Sequence, residues 1–212
     1  YVITGAGSGI GKATKELLEA QGHRVVGVDL KDAEITADLS TREGRTEGAK
    51  AAVEAAGGSV DAVIACAGVT LPSPLTVSVN YFGMTEFLEA VAPALAASEA
   101  PRAFLISSFS SLQENDASLV EAMCVSDDED KARAIAQTIV DEQGPEVAQG
   151  LIYASTKRAI SRWVRRESVK PHWAGAGIPL NAVGPGVIRT PMTEPWLQSE
   201  EGAAYLSTVV PM

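Results

Sequence analysis

The sequence predicts an α/β fold, a doubly wound parallel sheet in a single domain spanning residues 1–212. Three observations carry this. Short runs rich in β-branched residues alternate with helical patterns of ten or more residues, the signature of βαβ units. The first run leads through a glycine-rich loop directly into a helical pattern. No internal repeat or low-complexity stretch disturbs the alternation.

Taken in order, Val2–Thr4 is a short apolar run, followed by glycines and a helical pattern from Ile10 to about Gln21. "RVVGVDL" reads as a buried strand and Gly44–Ala56 as an alanine-rich helix. "VDAVIACAG" is the next strand, Val77–Ser98 a long helix and "RAFLISS" another strand. A helix from about Ile152 to Trp173 and a last strand, "IPLNAVGPG", complete the series. Alanine-rich helices suit close packing on such a sheet.

The rhythm breaks once. Between "AFLISS" and the helix carrying Tyr153 lies a helical insertion, residues 109–152. "SDDED" within it is an acidic run, but Ser126 with Glu129 three residues later fits a capping box, and acidic residues suit a helix N-terminus. Ala132, Ile135, Ala136, Ile139 and Val140 follow at one-face helical spacing. The segment therefore predicts a helix start and not a metal site.

Composition narrows the function. The net charge of -10 argues against nucleic acid and anionic membranes as partners, since both want a basic face. The two cysteines, Cys66 and Cys124, have no metal-ligand spacing and suggest no disulfide scaffold. No apolar run is long enough to span a bilayer, and a soluble, cytoplasmic protein is expected. The chain begins without methionine inside an apolar run, which suggests a portion of something longer.

"TGAGSGIG" sits between strand and helix, where backbone N–H groups and the helix dipole can receive a pyrophosphate. Gly5, Gly9 and Gly11 read G-x-x-x-G-x-G, and Ile10 stands where the last glycine of G-x-G-x-x-G would fall. Asp29, followed by Leu30, closes the second strand, where a carboxylate can accept hydrogen bonds from both hydroxyls of an adenosine ribose. In "YASTK", Tyr153 and Lys157 lie four residues apart, on one face of a helix.

The loop Thr4–Gly11, "ACAG" at 65–68, "SVNYFG" at 78–83, "ISS" at 106–108, "YASTK" at 153–157 and "GPGVIRT" at 184–190 occur in one order. That ordered set resembles the short-chain dehydrogenase/reductase family, over nearly the whole chain. "VGVDLKDAEITADLST", "SVNYFG" and the insertion are similar to its bacterial 3α-hydroxysteroid dehydrogenase/carbonyl reductase branch. The resemblance implies a Rossmann-type fold, NAD as cofactor, and hydride transfer between NAD(H) and a secondary alcohol or ketone.

It also implies roles. Tyr153 would be the general acid/base, Lys157 the charge that lowers its pKa and holds the nicotinamide ribose, and Ser108 the donor to the substrate oxygen. Ser107 is the alternative to Ser108. Asn80 would position a water touching the lysine. Gly5, Ser8, Gly9 and Ile10 would cradle the pyrophosphate, with Asp38 and Leu39 beside the adenine, and Ala67 and Gly68 lining its ribose. Pro185, Gly186, Ile188 and Thr190 would fix the carboxamide. Ala65 and Cys66 stand where the family usually has two asparagines, and Cys66 reads as a buried small hydrophobe. His23 and His172 read as surface residues, Trp163 as packing.

The implied substrate is a bulky apolar ketone or alcohol, a 3-keto or 3-hydroxysteroid first. Residues 190–212 would form a lid, with Met192, Trp196, Leu197, Tyr205, Leu206, Val209 and Val210 as its apolar surface. A 3-oxoacyl thioester is the rival substrate. A nucleotide-sensing regulator without chemistry is the rival class, though it would not need Asn80, Ser108, Tyr153 and Lys157 together. The resemblance also implies a further helix and strand beyond Met212, and a shortage of about four residues near "LPSPL". The insertion should block the family's common four-helix contact, giving a homodimer.

Overall fold

The computed structural model describes residues 1–200 together with Gly202, Ala204 and Thr208. Tyr205, Leu206, Val209 and Val210 of the expected lid lie outside the described residues. Six parallel strands form one sheet: β1 (Val2–Thr4), β2 (Val26–Asp29), β3 (Ile35–Thr36), β4 (Ala62–Ala65), β5 (Arg102–Ile106) and β6 (Leu180–Val183). Their order is β3-β2-β1-β4-β5-β6, with Val2 paired to Val26 on one side and Val63 on the other. The chain runs outward from β1 to β3, then returns to β4 on the opposite flank. Connections therefore diverge between β1 and β4, opening the crevice where doubly wound sheets bind ligands.

The helices are α1 (Gly9–Ala20), α2 (Arg42–Ala56), α3 (Leu75–Val77), α4 (Gly83–Ala96), α5 (Ala117–Cys124), α6 (Glu129–Gln143), α7 (Pro145–Glu167) and α8 (Glu194–Leu197). A π turn, Ser78–Phe82, joins α3 to α4. Thr41 caps α2 by accepting the Gly44 N–H at 3.0 Å, and Gly57 closes it with φ 87°. The main core lies under α2, α4 and α7, where Val2, Val63 and Leu105 of the sheet are fully buried with Phe87, Leu88 and Ile160. Each such side chain contributes about 1.5–3 kcal/mol by leaving water. Among the described residues no helix is long and apolar enough to cross a membrane.

The insertion differs from expectation in three places. Asp128, not Ser126, caps α6, accepting the Lys131 N–H at 2.9 Å. Asp127 takes a positive φ of 52°, and this turn moves the cap two residues along. The short helix α5, absent from the sequence reading, buries Leu119 and Met123 completely. The tyrosine helix α7 begins at Pro145, not Ile152, because Gly144 turns with φ 78° and proline suits a first helical position. It ends at Glu167, and Trp173 lies beyond it, edge-on to Trp163 at 6.3 Å. Both α5 and α6 pack on α7 and on each other.

The segment near "LPSPL" is closed on itself. Thr76 Oγ1 accepts the Leu71 N–H at 3.1 Å and donates to the Leu71 carbonyl at 2.9 Å.

Candidate active site

The site begins where β1 ends. Thr4, fully buried, accepts the N–H groups of Cys66 and Ala67 on its Oγ1, both at 3.2 Å. This fastens the root of the glycine loop to the end of β4. Gly5 then turns with φ 70°, and a Cβ there would stand 2.8 Å from the Ala67 nitrogen. A Cβ on Gly11 would lie 2.1 Å from the Gly5 carbonyl, so only glycine lets the loop fold this tightly onto α1.

The first N–H groups of a helix lack partners within it. Ser8, at the N-cap of α1, makes no side-chain capping bond, so its hydroxyl does not satisfy those groups. Ser8, Gly9 and Ile10 instead line a cavity of about 400 Å³ over the crevice. An anion is the complement of such a turn.

Asp29 stands at the far side of the loop. Its Oδ2 accepts the Gly7 N–H at 2.9 Å and its Oδ1 the Leu30 N–H at 2.7 Å. Each carboxylate oxygen has a second lone pair, and both Asp29 and Leu30 line the cavity. Asp38 and Leu39 continue that wall, and Ala67 and Gly68 form the part above β4. The donor-rich loop, the carboxylate and the apolar wall fit a dinucleotide.

At the other end of the cavity lie Tyr153 and Lys157 of α7. Lys157 is buried, donates from Nζ to the Ile106 carbonyl at 3.0 Å, and sits 5.5 Å from the centre of the Tyr153 ring. Burial pulls its pKa from 10.5 down to about 8, with the Cys66 thiol partly opposing. Burial also raises the Tyr153 phenol above its usual value, and the hydrogen bond with Ser108 offsets only part of this. Desolvation outweighs the Ser108 bond on the phenol, so its pKa lies above the ordinary tyrosine value. Tyr153 stands protonated, a donor near neutrality.

Ser108 reaches Tyr153 from the end of β5 and caps the 3-10 turn that follows. Ser107 faces the opposite way, donating to the Lys157 carbonyl at 3.1 Å and pairing with Ser161 at 2.9 Å. Its hydroxyl supports α7. Asn80 rides on the π turn, where the Gly83 N–H bonds the Ser78 carbonyl five residues back. Fully buried, it clasps Val69, accepting its N–H at 2.8 Å and donating to its carbonyl at 2.9 Å, with Thr156 Oγ1 at 3.3 Å. A Cβ built on Gly68 would fall 3.3 Å from Asn80 Oδ1 and 3.8 Å from Lys157 Nζ, so the three converge.

The loop after β6 is only partly brought in. Thr190 lines the cavity, and its Cβ lies 3.5 Å from where a Cβ on Gly9 would be. Pro185 accepts the Phe109 N–H at 2.9 Å and Ile188 accepts the Thr193 hydroxyl at 2.6 Å, but neither they nor Gly186 line the cavity. Sequence reasoning missed Val69, Leu75, Val79 and Ile106 in the wall; as lone apolar residues they carry no signal. Cys66 is half-buried and lines the cavity, its thiol pushed up by burial to about 12 and so a poor nucleophile. His23 is exposed, while His172 sits between Glu89 and Glu167, with Glu167 already held by Arg166 and Lys170.

A glycine loop at the switch point and a tyrosine–lysine pair share one cavity, and the chain belongs to the short-chain dehydrogenase/reductase family of oxidoreductases, which use a nicotinamide cofactor. A family model described as enoyl-(acyl carrier protein) reductase matches residues 5–212. The chain is 37% identical over 214 residues to a 3-alpha-hydroxysteroid dehydrogenase/carbonyl reductase of Comamonas testosteroni, a match covering 99% of this chain and 80% of that one. It is also similar to the crystal structure of the 3-alpha-hydroxysteroid dehydrogenase from Pseudomonas sp. B-0831 complexed with NADH. The TM-score is 0.84 and the identity 37%, covering 98% and 79% of the two chains. A short-chain type dehydrogenase/reductase from Mycobacterium ulcerans shares the fold at a TM-score of 0.73 and 19% identity, covering 100% and 76%.

Proposed function

We propose that the protein transfers hydride between NAD(H) and a bulky apolar secondary alcohol or ketone, a 3-hydroxy or 3-keto steroid being the first candidate. The observation that carries this is the single cavity joining the Gly5–Gly11 loop to Tyr153 and Lys157. The bound cofactor would supply or accept the hydride. Everything else falls to this chain's residues. The first turn of α1 would hold the pyrophosphate and Asp29 the adenosine ribose, with Leu39 and Ala67 beside them.

In reduction, Tyr153 donates its proton to the carbonyl oxygen as negative charge develops there. The Ser108 hydroxyl orients that oxygen, and the Lys157 ammonium near the ring stabilises the phenolate left behind. Asn80 fixes the Val69 backbone beside them. In oxidation the proton runs the other way.

NAD is favoured over NADP because a 2′-phosphate carries about -1.5 to -2 charges and would meet Asp29 directly. The relative's complex with NADH supports the same preference. The apolar wall of Val69, Leu75, Val79 and Met192 supports an apolar substrate. A steroid could bury a few hundred Å² there, worth several kcal/mol at roughly 25 cal/mol per Å² before association costs.

The test follows NADH absorbance with a 3-keto steroid, a short aliphatic ketone and an acetoacetyl thioester side by side. The steroid should win in kcat/KM, and NADPH should be the poorer cofactor. A margin of more than about tenfold, or 1.4 kcal/mol, for either competitor removes the steroid; the same margin for NADPH removes NAD.

A further inference from the structure

Arg45, on the first turn of α2, is 1% exposed, carries a charge and belongs to neither the glycine loop nor the tyrosine group. A buried guanidinium is costly unless every N–H finds an acceptor. Here Nε donates to the Leu39 carbonyl at 2.8 Å, and Nη2 donates to the carbonyls of Ser40 at 3.0 Å and Ser78 at 3.4 Å. The fork meets the Glu129 carboxylate twice, both at 2.7 Å, and Nη1 also reaches Glu86 at 3.1 Å.

The identities of these partners matter more than their number. Leu39 and Ser40 are wall residues of the cofactor cavity. Ser78 opens the π turn that carries Val79 into the same cavity and Asn80 onto Val69. Glu129 is the first residue of the inserted helix α6. One turn on, Arg133 donates to Ser78 Oγ at 2.6 Å, a second tie from α6 to the same turn. Burial alone would raise the Glu129 carboxyl, but the hydrogen bonds and charge of Arg45, with the Ser78 hydroxyl, hold it below the usual carboxylate range. The pair is ionised at neutral pH.

We propose that Arg45, clamped by Glu129 of the insertion, is a positioning residue for cofactor binding: it fixes the Leu39–Ser40 wall against the Ser78–Phe82 turn. The inserted helix is thereby a working part of the nucleotide site. A buried ion pair often adds no stability over well-packed apolar residues of equal volume. What it adds is direction, because a planar fork holds the three carbonyls and the carboxylate in one geometry. This inference rests on the nicotinamide-cofactor reading of the cavity.

The experiment compares wild type with Glu129→Gln and with the double variant Arg45→Met/Glu129→Met, which restores an apolar contact. NADH affinity is measured by fluorescence titration, together with kcat, KM for NADH and Tm. Both variants should bind NADH about tenfold more weakly. KM should rise in step and kcat at saturating NADH stay within about threefold, even where the double variant melts as wild type does. AMP affinity should fall as NADH affinity does, and that of nicotinamide mononucleotide should not. Folded variants that bind NADH within about twofold of wild type overturn the proposal, as does a loss that follows Tm and lowers kcat equally. Failure of wild type itself to bind NADH would instead strike the cofactor reading on which this rests.

Discussion

Replacing Lys157 by methionine should make the protein more stable and leave it inactive. Burial holds the ammonium at about 8 against an ordinary 10.5. A lysine whose folded pKa is lowered opposes folding wherever the unfolded chain keeps the proton more tightly. Below pH 8 both states are charged and the full cost is present, roughly 3 kcal/mol at about 1.4 kcal/mol per pH unit. It shrinks as pH rises from about 8 to 10.5 and is gone above that range. Methionine keeps an unbranched apolar stem but loses the 3.0 Å bond to the Ile106 carbonyl, which costs about 1–2 kcal/mol. The net gain at pH 7 is about 1–2 kcal/mol, and it should fall by about 2 kcal/mol by pH 9.5. Urea titrations of both proteins at the two pH values measure this. A variant less stable than wild type by over about 1 kcal/mol at pH 7, or a difference that ignores pH, would refute the reasoning.

Three further outcomes are expected. Tyr153→Phe should lose nearly all turnover while NADH affinity stays within about threefold, because the hydroxyl acts in the chemical step and the ring packs; turnover within about tenfold of wild type would remove the role. Ketone reduction should decline as pH rises through about 8, where Lys157 sheds the charge that supports the phenolate, and a flat profile would separate that charge from catalysis. Sedimentation should show a homodimer, since α5 and α6 cover one flank of α7; a tetramer joined through that helix would refute the blocking role of the insertion.

Much of this was legible in the sequence, for identifiable reasons. The glycine loop and Asp29 are visible because backbone geometry and charge leave few residue types able to serve there. Tyr153 and Lys157 stand out because the proposed chemistry calls for those residue types at that spacing, and the structure brings them to one cavity. The ends of α7 differ from the sequence expectation, although "GP" at 144–145 marks the start and Pro171 pushes the chain out of helix soon after Glu167. The π turn at Ser78–Phe82 has no signature, since widening one turn by a residue changes no residue type. Helix α5, only eight residues long, is too short for a periodic pattern to declare itself. The rise in the Tyr153 pKa was not legible either. It depends on burial by residues far apart in the chain.

The helical segment of residues 109–152 sits beside the proposed catalytic pair without carrying it. It lies between Ser108 and Tyr153, which the proposed mechanism needs within a hydrogen bond of each other. Each is held by separate supports. Ser108 is placed by β5 and by its neighbour Phe109 bonding Pro185, and α7 is held by Ser107 and Ser161 against the end of β5. Because neither support runs through residues 110–144, that stretch can lengthen without moving the pair. Its helices must still bury their apolar faces, and α7 offers the nearest surface. Ser155 on that helix receives the Asp116 N–H at 2.9 Å, so α5 starts from a fixed point two residues from Tyr153. Glu129 meeting Arg45 then fastens the start of α6 to the wall of the cofactor cavity. An insertion anchored at both places can change affinity for the cofactor without touching the reacting atoms.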